Sequence, residues 1–196
     1  MKTPTLAKIA SLAALLGLAA APPARANADA PPPAADTQDL SGLHAFDFLA
    51  GSWRAHHHVL KERLAGSHDW WDYDGTATAW LTLDGYGNVD DNTLNKPTGF
   101  YRAMTLRTYD PKTGLWSIWW VDGRMPAINL DPPVRGRFAD GVGTFYADDT
   151  LRGKPIKVRF IWKPIDHRHA HWEQAFSPDG GRTWETNWTT DFERVK

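Results

Sequence analysis

Hydrophobic and polar residues alternate along most of the chain after residue 50. Ile156, Val158 and Phe160 occupy one set of alternate positions, while Lys157 and Arg159 occupy the other. Successive side chains of an extended strand point to opposite faces, so this period of two is typical of a strand with one buried face. The pattern predicts strands at 52–63, 68–83, 87–95, 99–109, 115–122, 133–139, 142–152, 155–164, 169–177 and 183–194.

The connections between these predicted strands are short. Several contain the Gly, Pro and Asp residues that tight hairpins require, namely DPKTG at 110–114, DG at 140–141 and DGG at 179–181. Short connections join antiparallel neighbours, so we expect the strands to follow one another as a meander. We therefore predict an all-β fold, an antiparallel up-and-down β-barrel of about ten strands, with a two-sheet sandwich as the alternative.

The amino terminus differs in composition from the rest of the chain. Lys2 and Lys8 precede an apolar run at 9–21, and the small-residue sequence Ala24-Arg25-Ala26 follows. This order is typical of a cleaved signal peptide, which we place at 1–26. The apolar run is shorter than the ~20 residues that a membrane span requires. We therefore expect no membrane anchor and a periplasmic or secreted protein.

The signal-like sequence is followed by a linker and one domain. Residues 27–39 are rich in Pro and Ala and carry too little apolar surface to fold, which predicts a disordered linker. The barrel domain then covers 40–196. Its first residues include Leu43, Phe46 and Leu49 at three-residue spacing, which predicts a short N-terminal helix.

Charge and composition exclude several classes of protein. The formal net charge is -1, so no strong field attracts nucleic acid or an anionic membrane. The absence of cysteine excludes disulfides, thiolate metal ligands and a cysteine nucleophile. The chain has 11 tryptophans, an unusual number for 196 residues, and tryptophan concentrates in cores, pockets and interfaces. Composition leaves the oligomeric state open.

The barrel interior is the candidate functional site. A barrel in water is expected to point its apolar side chains inward, and this rule places most of the tryptophans on one lining. Trp184 and Phe192 of the last strand are assigned to it with Trp188. We predict a cavity that binds a small apolar or amphipathic molecule through His57, Trp80, Arg102, Trp116, Trp120, Trp162, Gln174 and Trp188.

His57 and Arg102 are the titratable members of this predicted lining. Arg102 is assigned inward because it shares a parity with Phe100, Met104 and Leu106. Buried groups of this kind are either satisfied within the protein or orient a polar group of a ligand, and a guanidinium favours an anionic or carbonyl-bearing group. Two alternatives stay open: an enzyme that uses His57 as acid or base in the same cavity, and a structural or envelope-interaction barrel with a filled core.

Histidines form a second group. His167, His169, His171 and Glu173 share a parity opposite to Trp172, Gln174 and Phe176, and His56 and His58 have the same relation to Trp53 and Val59. The histidines are therefore expected to be largely accessible on the outer face. An exposed face offers neither the shelter nor the fixed second shell of a metal centre, so we predict no metal site.

Two shorter patterns favour turns rather than chemistry. NVDDN at 88–92 brings carboxylates together, but Asp and Asn are common turn formers, which favours a solvated loop. SPDGGRTW at 177–184 matches the Asp-box pattern, in which the Asp and Ser tie a hairpin together. No nucleophile elbow, phosphate-binding loop or dinucleotide fingerprint occurs in the sequence.

FDFLAGSW at 46–53 resembles the Gly-x-Trp opening of lipocalin-like barrels. With GNVDDNTL, FYADDT and WEQAFSPDGGRTWETNW, it resembles a family of exported bacterial proteins of unknown function, over roughly residues 43–194. The resemblance implies a barrel closed at one end, an internal cavity and a basic side chain of the last strand over the first-strand Trp, positions that Arg194 and Trp53 match. Haem-binding barrels of related shape take their iron ligand from a histidine near the carboxyl terminus. The strand at 183–194 contains none, so no cofactor is expected.

Overall fold

The computed structural model describes residues 38–125, 130 and 132–195. The predicted signal peptide at 1–26 and nearly all of the predicted linker at 27–39 lie outside the described residues, so both stay predictions. Within the described part of the chain, no helix is long and apolar enough to cross a membrane.

Ten antiparallel strands form one closed barrel, as predicted. They are β1 (Gly51–Leu60), β2 (Trp70–Thr82), β3 (Gly87–Lys96), β4 (Gly99–Asp110), β5 (Leu115–Asp122), β6 (Val134–Ala139), β7 (Val142–Leu151), β8 (Lys154–Pro164), β9 (His169–Ser177) and β10 (Glu185–Arg194). Each strand pairs with its neighbours in sequence, and β1 pairs with β10 to close the sheet. The strand ends lie within three residues of the predicted ones.

The prediction of a short N-terminal helix is wrong. The segment before β1 consists of turns and a single 3-10 turn, Asp47–Leu49. Its hydrogen bonds join residues three apart, such as the bond from the Leu49 N–H to the Phe46 carbonyl at 3.0 Å. Three residues complete a turn of this geometry, so the three-residue spacing of Leu43, Phe46 and Leu49 still places all three on one buried face.

This segment closes one end of the barrel. The ring of Phe46 is fully buried, and its centroid lies 5.1, 4.9 and 5.6 Å from those of Trp116, Phe138 and Phe145. Nε1 of Trp116 donates a hydrogen bond to the Gly42 carbonyl at 2.8 Å. Edge-to-face contacts with Trp116 and Phe138, a stacked contact with Phe145 and this hydrogen bond together make an aromatic plug.

Arg194 and Trp53 fasten the first and last strands to the plug. The guanidinium carbon of Arg194 lies 4.1 Å from the Trp53 ring centroid. Its Nη1 and Nη2 donate to the carbonyls of Ala50 and Phe48 at 2.6 and 2.5 Å. Nε1 of Trp53 donates to the Leu49 carbonyl at 2.8 Å. The packing that the resemblance implied is therefore present.

Strand β4 turns the opposite face inward from the predicted one. Its buried residues are Tyr101, Ala103, Thr105, Arg107 and Tyr109. Phe100, Arg102 and Met104, which the apolar-inward rule placed inside, are exposed instead. The physical reason is that Arg107 meets Asp90 of β3 inside the barrel, so the shared polar faces of these two strands point inward.

Trp80 also lies on the outer face, where it is 48% exposed, so its predicted place inside is wrong. Strand pairing sets Trp80 beside Val89 of β3, Val89 beside Leu106 of β4, and Leu106 beside Trp119 of β5. These four residues form an apolar row across the outside of the barrel. Trp80 therefore has apolar neighbours without turning inward.

A β-bulge in β10 makes the predicted inward orientation of Trp184 wrong. The register with β9 shifts between Thr186 and Trp188, which inverts the parity of the residues before the shift. Asn187 is fully buried as a result. Trp184 was predicted to share the inner lining with Trp188. Its ring centroid instead lies 4.6 Å from the guanidinium carbon of Arg159, on the outer side of β8.

The Asp-box hairpin between β9 and β10 is confirmed. Asp179 accepts hydrogen bonds from the backbone N–H groups of Arg182 and Thr183 at 3.0 and 2.9 Å. Oγ of Ser177 donates to Asp179 at 2.8 Å, and these bonds hold the pKa of Asp179 well below its usual range. The Asp and Ser thus tie the turn.

Replacing Arg194 by Ala should lower the free energy of unfolding by about 2 to 4 kcal/mol, because charged hydrogen bonds and a cation–π contact are lost together. Arg168→Ala is the matched control, since Arg168 makes a 3.7 Å contact with Glu193 at the surface and should contribute less than about 1 kcal/mol. Urea denaturation followed by circular dichroism measures both. Equal losses in the two variants would contradict the role given to Arg194.

Candidate functional site

A cavity of about 130 Å³ lies inside the barrel next to the plug. Five strands each contribute one tryptophan to its wall, namely Trp53, Trp120, Trp162, Trp172 and Trp188. Its polar lining residues are His57, Asp90, Asn92, Thr105, Arg107, Gln174 and Thr190. Because a barrel directs alternate residues of every strand toward one axis, residues far apart in sequence meet here.

The structure brings most of the predicted lining together but not all of it. His57, Trp120, Trp162, Gln174 and Trp188 line the cavity. Trp116 belongs to the plug, and Trp80 lies on the outer face. Arg102 also lies outside, where its Nε donates to Asp91 at 3.2 Å. The predicted places of Trp116, Trp80 and Arg102 in the cavity are therefore wrong, and a binding role for the other five stays a prediction.

Arg107 and Asp90 form a buried ion pair in the cavity wall. Nη1 of Arg107 donates to Asp90 at 2.6 Å and to Asn88 at 2.9 Å. Asp90 also accepts hydrogen bonds from the backbone N–H of Thr105 at 3.0 Å and from the Asn92 amide. A buried charge is costly unless it is paired and hydrogen-bonded, and both conditions hold here. The pair therefore adds no net charge to the cavity.

Sequence reasoning missed this pair. NVDDN, interpreted as a solvated loop, lies in β3, whose alternate residues Asn88, Asp90 and Asn92 face inward. No signal in the sequence identified the pair, because a polar parity ordinarily indicates the outer face of a barrel and Arg107 meets Asp90 only through the pairing of β3 with β4.

Two hydrogen-bond donors of the cavity residues have no partner. Nε of Arg107 and Nε1 of Trp162 are buried without an acceptor among the described residues. The guanidinium carbon of Arg107 lies 5.2 and 5.3 Å from the ring centroids of Phe46 and Trp162, so aromatic faces flank it. A buried donor without an acceptor costs about 1–3 kcal/mol, so both residues favour an added acceptor.

His57 is a neutral member of the wall. Its Nδ1 lies 2.9 Å from Oγ1 of Thr190 and accepts a 3.3 Å hydrogen bond from Nε1 of Trp188. Since an indole N–H can only donate, the proton of the neutral ring resides on Nε2. Burial, with a smaller contribution from the charge of His56, lowers the pKa of His57 to about 4. Glycine at position 75 leaves room for the ring, because a Cβ on Gly75 would lie 3.0 Å from Nε2.

Four of the five histidines predicted on the outer face are paired with a carboxylate. The pairs are His56 with Asp74 at 2.8 Å, His58 with Asp72 at 2.7 Å, His169 with Asp166 at 2.9 Å and His171 with Asp191 at 2.6 Å. His171 is only 23% exposed, so the expectation of largely accessible histidines is wrong for it. Among the residues that the structure describes, no group of three or more such side chains is placed to hold a metal ion.

Replacing Asp90 by Ala should lower the free energy of unfolding by about 3 to 5 kcal/mol, because the charge of Arg107 would stay buried without a counterion. Asp91→Ala is the matched control one residue away, since Asp91 pairs with Arg102 at the surface and should contribute less than about 1 kcal/mol. Urea denaturation separates the two. Similar small losses would show that the interior pair does not stabilise the barrel.

The pKa of His57 predicts a pH dependence. Its folded value of about 4 lies below the ordinary 6.5, so the folded state disfavours the protonated ring. The stabilising contribution of the neutral ring is complete above about pH 6.5 and is lost as the pH falls to about 4, an effect of ~3 kcal/mol. Unfolding measured at pH 7 and pH 4 should show a larger loss in the wild type than in His57→Gln. Equal losses of unfolding free energy in the two proteins would contradict the lowered pKa of His57.

Comparisons with known proteins bear on the fold. No family model matches the chain, and no curated protein matches it. The structure is similar to that of the S-type phycobiliprotein lyase CPES from Guillardia theta, with a TM-score of 0.53 and 9% identity over 82% of this chain and 95% of that one. It is also similar to EF1p2_mFAP2b bound to DFHBI, with a TM-score of 0.41 and 11% identity over 79% of this chain and 99% of that one. The first likeness shows the fold alone: this chain forms a lipocalin-like barrel.

Proposed function

We propose that this protein binds a small, partly apolar molecule in the tryptophan-lined cavity of the barrel. The observation that carries the proposal is the convergence of five indole rings on a space of about 130 Å³. Flat apolar walls with a few fixed polar groups are the usual composition of ligand pockets. Tryptophan suits such a wall because its ring packs on an apolar ligand and its N–H donates one hydrogen bond.

The unfilled space and the unpaired donors support binding over a barrel with a filled core. Protein interiors are close-packed, so a purely structural barrel is expected to fill this space with side chains. Arg107 and Trp162 each have a buried N–H donor without an acceptor among the described residues, which favours a ligand that accepts hydrogen bonds. A ligand that carries an oxygen acceptor would satisfy them.

The cavity continues toward the end of the barrel opposite the plug, where β1 ends and β2 begins; this is called the open end. A second space of about 270 Å³ shares Ile118, Trp120, Phe160 and Gln174 with the first. A ligand too long for the inner cavity would therefore extend outward past these residues. This continuity supports a ligand whose two ends lie in different surroundings.

The geometry of His57 supports binding more strongly than acid–base catalysis. Its Nδ1 is already engaged with Thr190 and Trp188, and its Nε2 lies beside Gly75 of the neighbouring strand. A general acid or base needs a ring nitrogen within hydrogen-bond reach of a substrate. His57 fits better as a neutral polar group of the wall.

Export is part of the proposal. Positively charged residues, an apolar run and small residues follow one another in residues 1–26, and this order supports a signal peptide. Together with the barrel, it would make this a periplasmic or secreted binding protein.

Titration with the neutral fluorescent probe N-phenyl-1-naphthylamine tests the proposal. Trp120 and Trp80 are a matched pair, since they are 40% and 48% exposed but only Trp120 lines the cavity. We expect Trp120→Ala to weaken binding about fivefold or more, because a stacking surface is lost, and Trp80→Ala to leave it unchanged. Absence of binding, or equal effects of the two substitutions, would contradict the proposal.

A further inference from the structure

Cationic side chains at the open end of the barrel bear on the charge of the ligand. KERL at 61–64, of which 61–63 were included in the first predicted strand, belongs instead to the loop between β1 and β2. Arg63 of this loop lies over aromatic rings of the last two strands. Its guanidinium carbon is 5.4 Å from the ring centroid of Phe176 and 5.9 Å from that of Trp188.

Two backbone hydrogen bonds hold the loop in this place. The Arg63 carbonyl accepts a bond from Nη1 of Arg152 at 3.0 Å. The next residue, Leu64, donates its backbone N–H to Glu185 at 2.6 Å, and its side chain packs against the main core. The backbone at Arg63 is thus fixed independently of its guanidinium.

The guanidinium of Arg63 lacks a counterion. Within residues 38–125, 130 and 132–195, it makes no hydrogen bond or ion pair, and it lies over the two rings. Glu185, the acid whose charge reaches it, is engaged with the backbone of Leu64. Burial lowers the pKa of Arg63 more than Tyr73, Tyr101 and Glu185 raise it.

Two further cations stand at the same end. Lys96 and Arg124 each lie 3.8 Å over an aromatic ring. Burial and the charges of Arg124 and Arg63 lower the pKa of Lys96, so the three cations repel one another. Asp122 pairs with Arg124 at 2.5 Å and leaves the other two without a bound carboxylate among the described residues.

Arg63 lines the outer space that joins the tryptophan-lined cavity. The acids of that space are on β7, and neither forms an ion pair or a hydrogen bond with Arg63 among the described residues. Asp148 pairs with Lys157 at 2.5 Å, and Asp149 accepts a bond from the backbone N–H of Thr150 at 2.6 Å. An unpaired cation therefore stands where an apolar pocket opens.

We propose that the ligand is an amphipathic organic anion whose carboxylate binds Arg63 at the open end while its apolar body lies among the tryptophans. This inference rests on the proposed function. A guanidinium matches a carboxylate with two parallel N–H···O bonds. Arg107 does not serve as this anchor, because Asp90 already neutralises it and a second carboxylate there would bury an uncompensated negative charge.

The test uses two probes of the same shape, 1-naphthaleneacetate and its neutral amide, titrated calorimetrically into the folded protein. We expect the wild type to bind the acid about tenfold more tightly than the amide. Arg63→Gln should remove that preference and leave amide affinity within about twofold. Lys61→Gln, which removes an exposed cation of the same loop, is the matched control and should keep the preference.

The outcomes separate the two proposals. Equal binding of acid and amide by the wild type would overturn the carboxylate anchor while the cavity proposal stands. Loss of both probes in Arg63→Gln would also overturn it, since Arg63 would then support the loop rather than the anion. Failure of both probes and of N-phenyl-1-naphthylamine to bind the wild type would overturn the cavity proposal itself.

Discussion

The ion pair between Arg107 and Asp90 is the interaction on which the arrangement of the barrel interior depends. Either charge buried without the other would cost several kcal/mol, so β3 and β4 must both turn these residues inward. The opposite faces of the same strands then carry Val89 and Leu106 outward. One buried contact thus fixes a polar inner wall and an apolar outer row at once.

This polar wall gives the cavity two different sides. Asp90, Thr105 and Arg107 face it from β3 and β4, while Trp162 and Trp172 face it from β8 and β9. Since the ion pair is neutral, the inner cavity accommodates an uncharged polar group more readily than an ion. A cation that has no ion pair among the described residues, Arg63, lies at the other end. The fold therefore separates hydrogen bonding inside from charge at the opening.

The two ends of the barrel are also held differently. At the closed end, Arg194 joins the plug to both closing strands through a ring contact and hydrogen bonds to main-chain carbonyls. At the open end, the loop that carries Arg63 is held by bonds from Arg152 and to Glu185, by the bond from the Lys61 N–H to the Asp69 carbonyl at 2.9 Å, and by the packing of Leu64 on the core. These contacts hold Arg63 over the rings of Phe176 and Trp188.

The sequence by itself determined the ten strands and their order, because period two and turn residues are local patterns. The packing of Arg194 on Trp53 was implied by the resemblance of the Gly-x-Trp opening to lipocalin-like barrels. The sequence also oriented β1, β8 and most of β9 and β10, where one parity is apolar and the other charged. It failed on β4, where the apolar parity of Phe100, Met104 and Leu106 favours the face that the structure turns outward. There the tertiary structure decided, since Arg107 and Asp90 become partners only when strands pair. The bulge that turned Trp184 outward likewise depends on the pairing of β9 with β10. The approach of Arg63 to Phe176 and Trp188 depends on the closed barrel, because contacts between residues over a hundred positions apart leave no periodic trace in the chain.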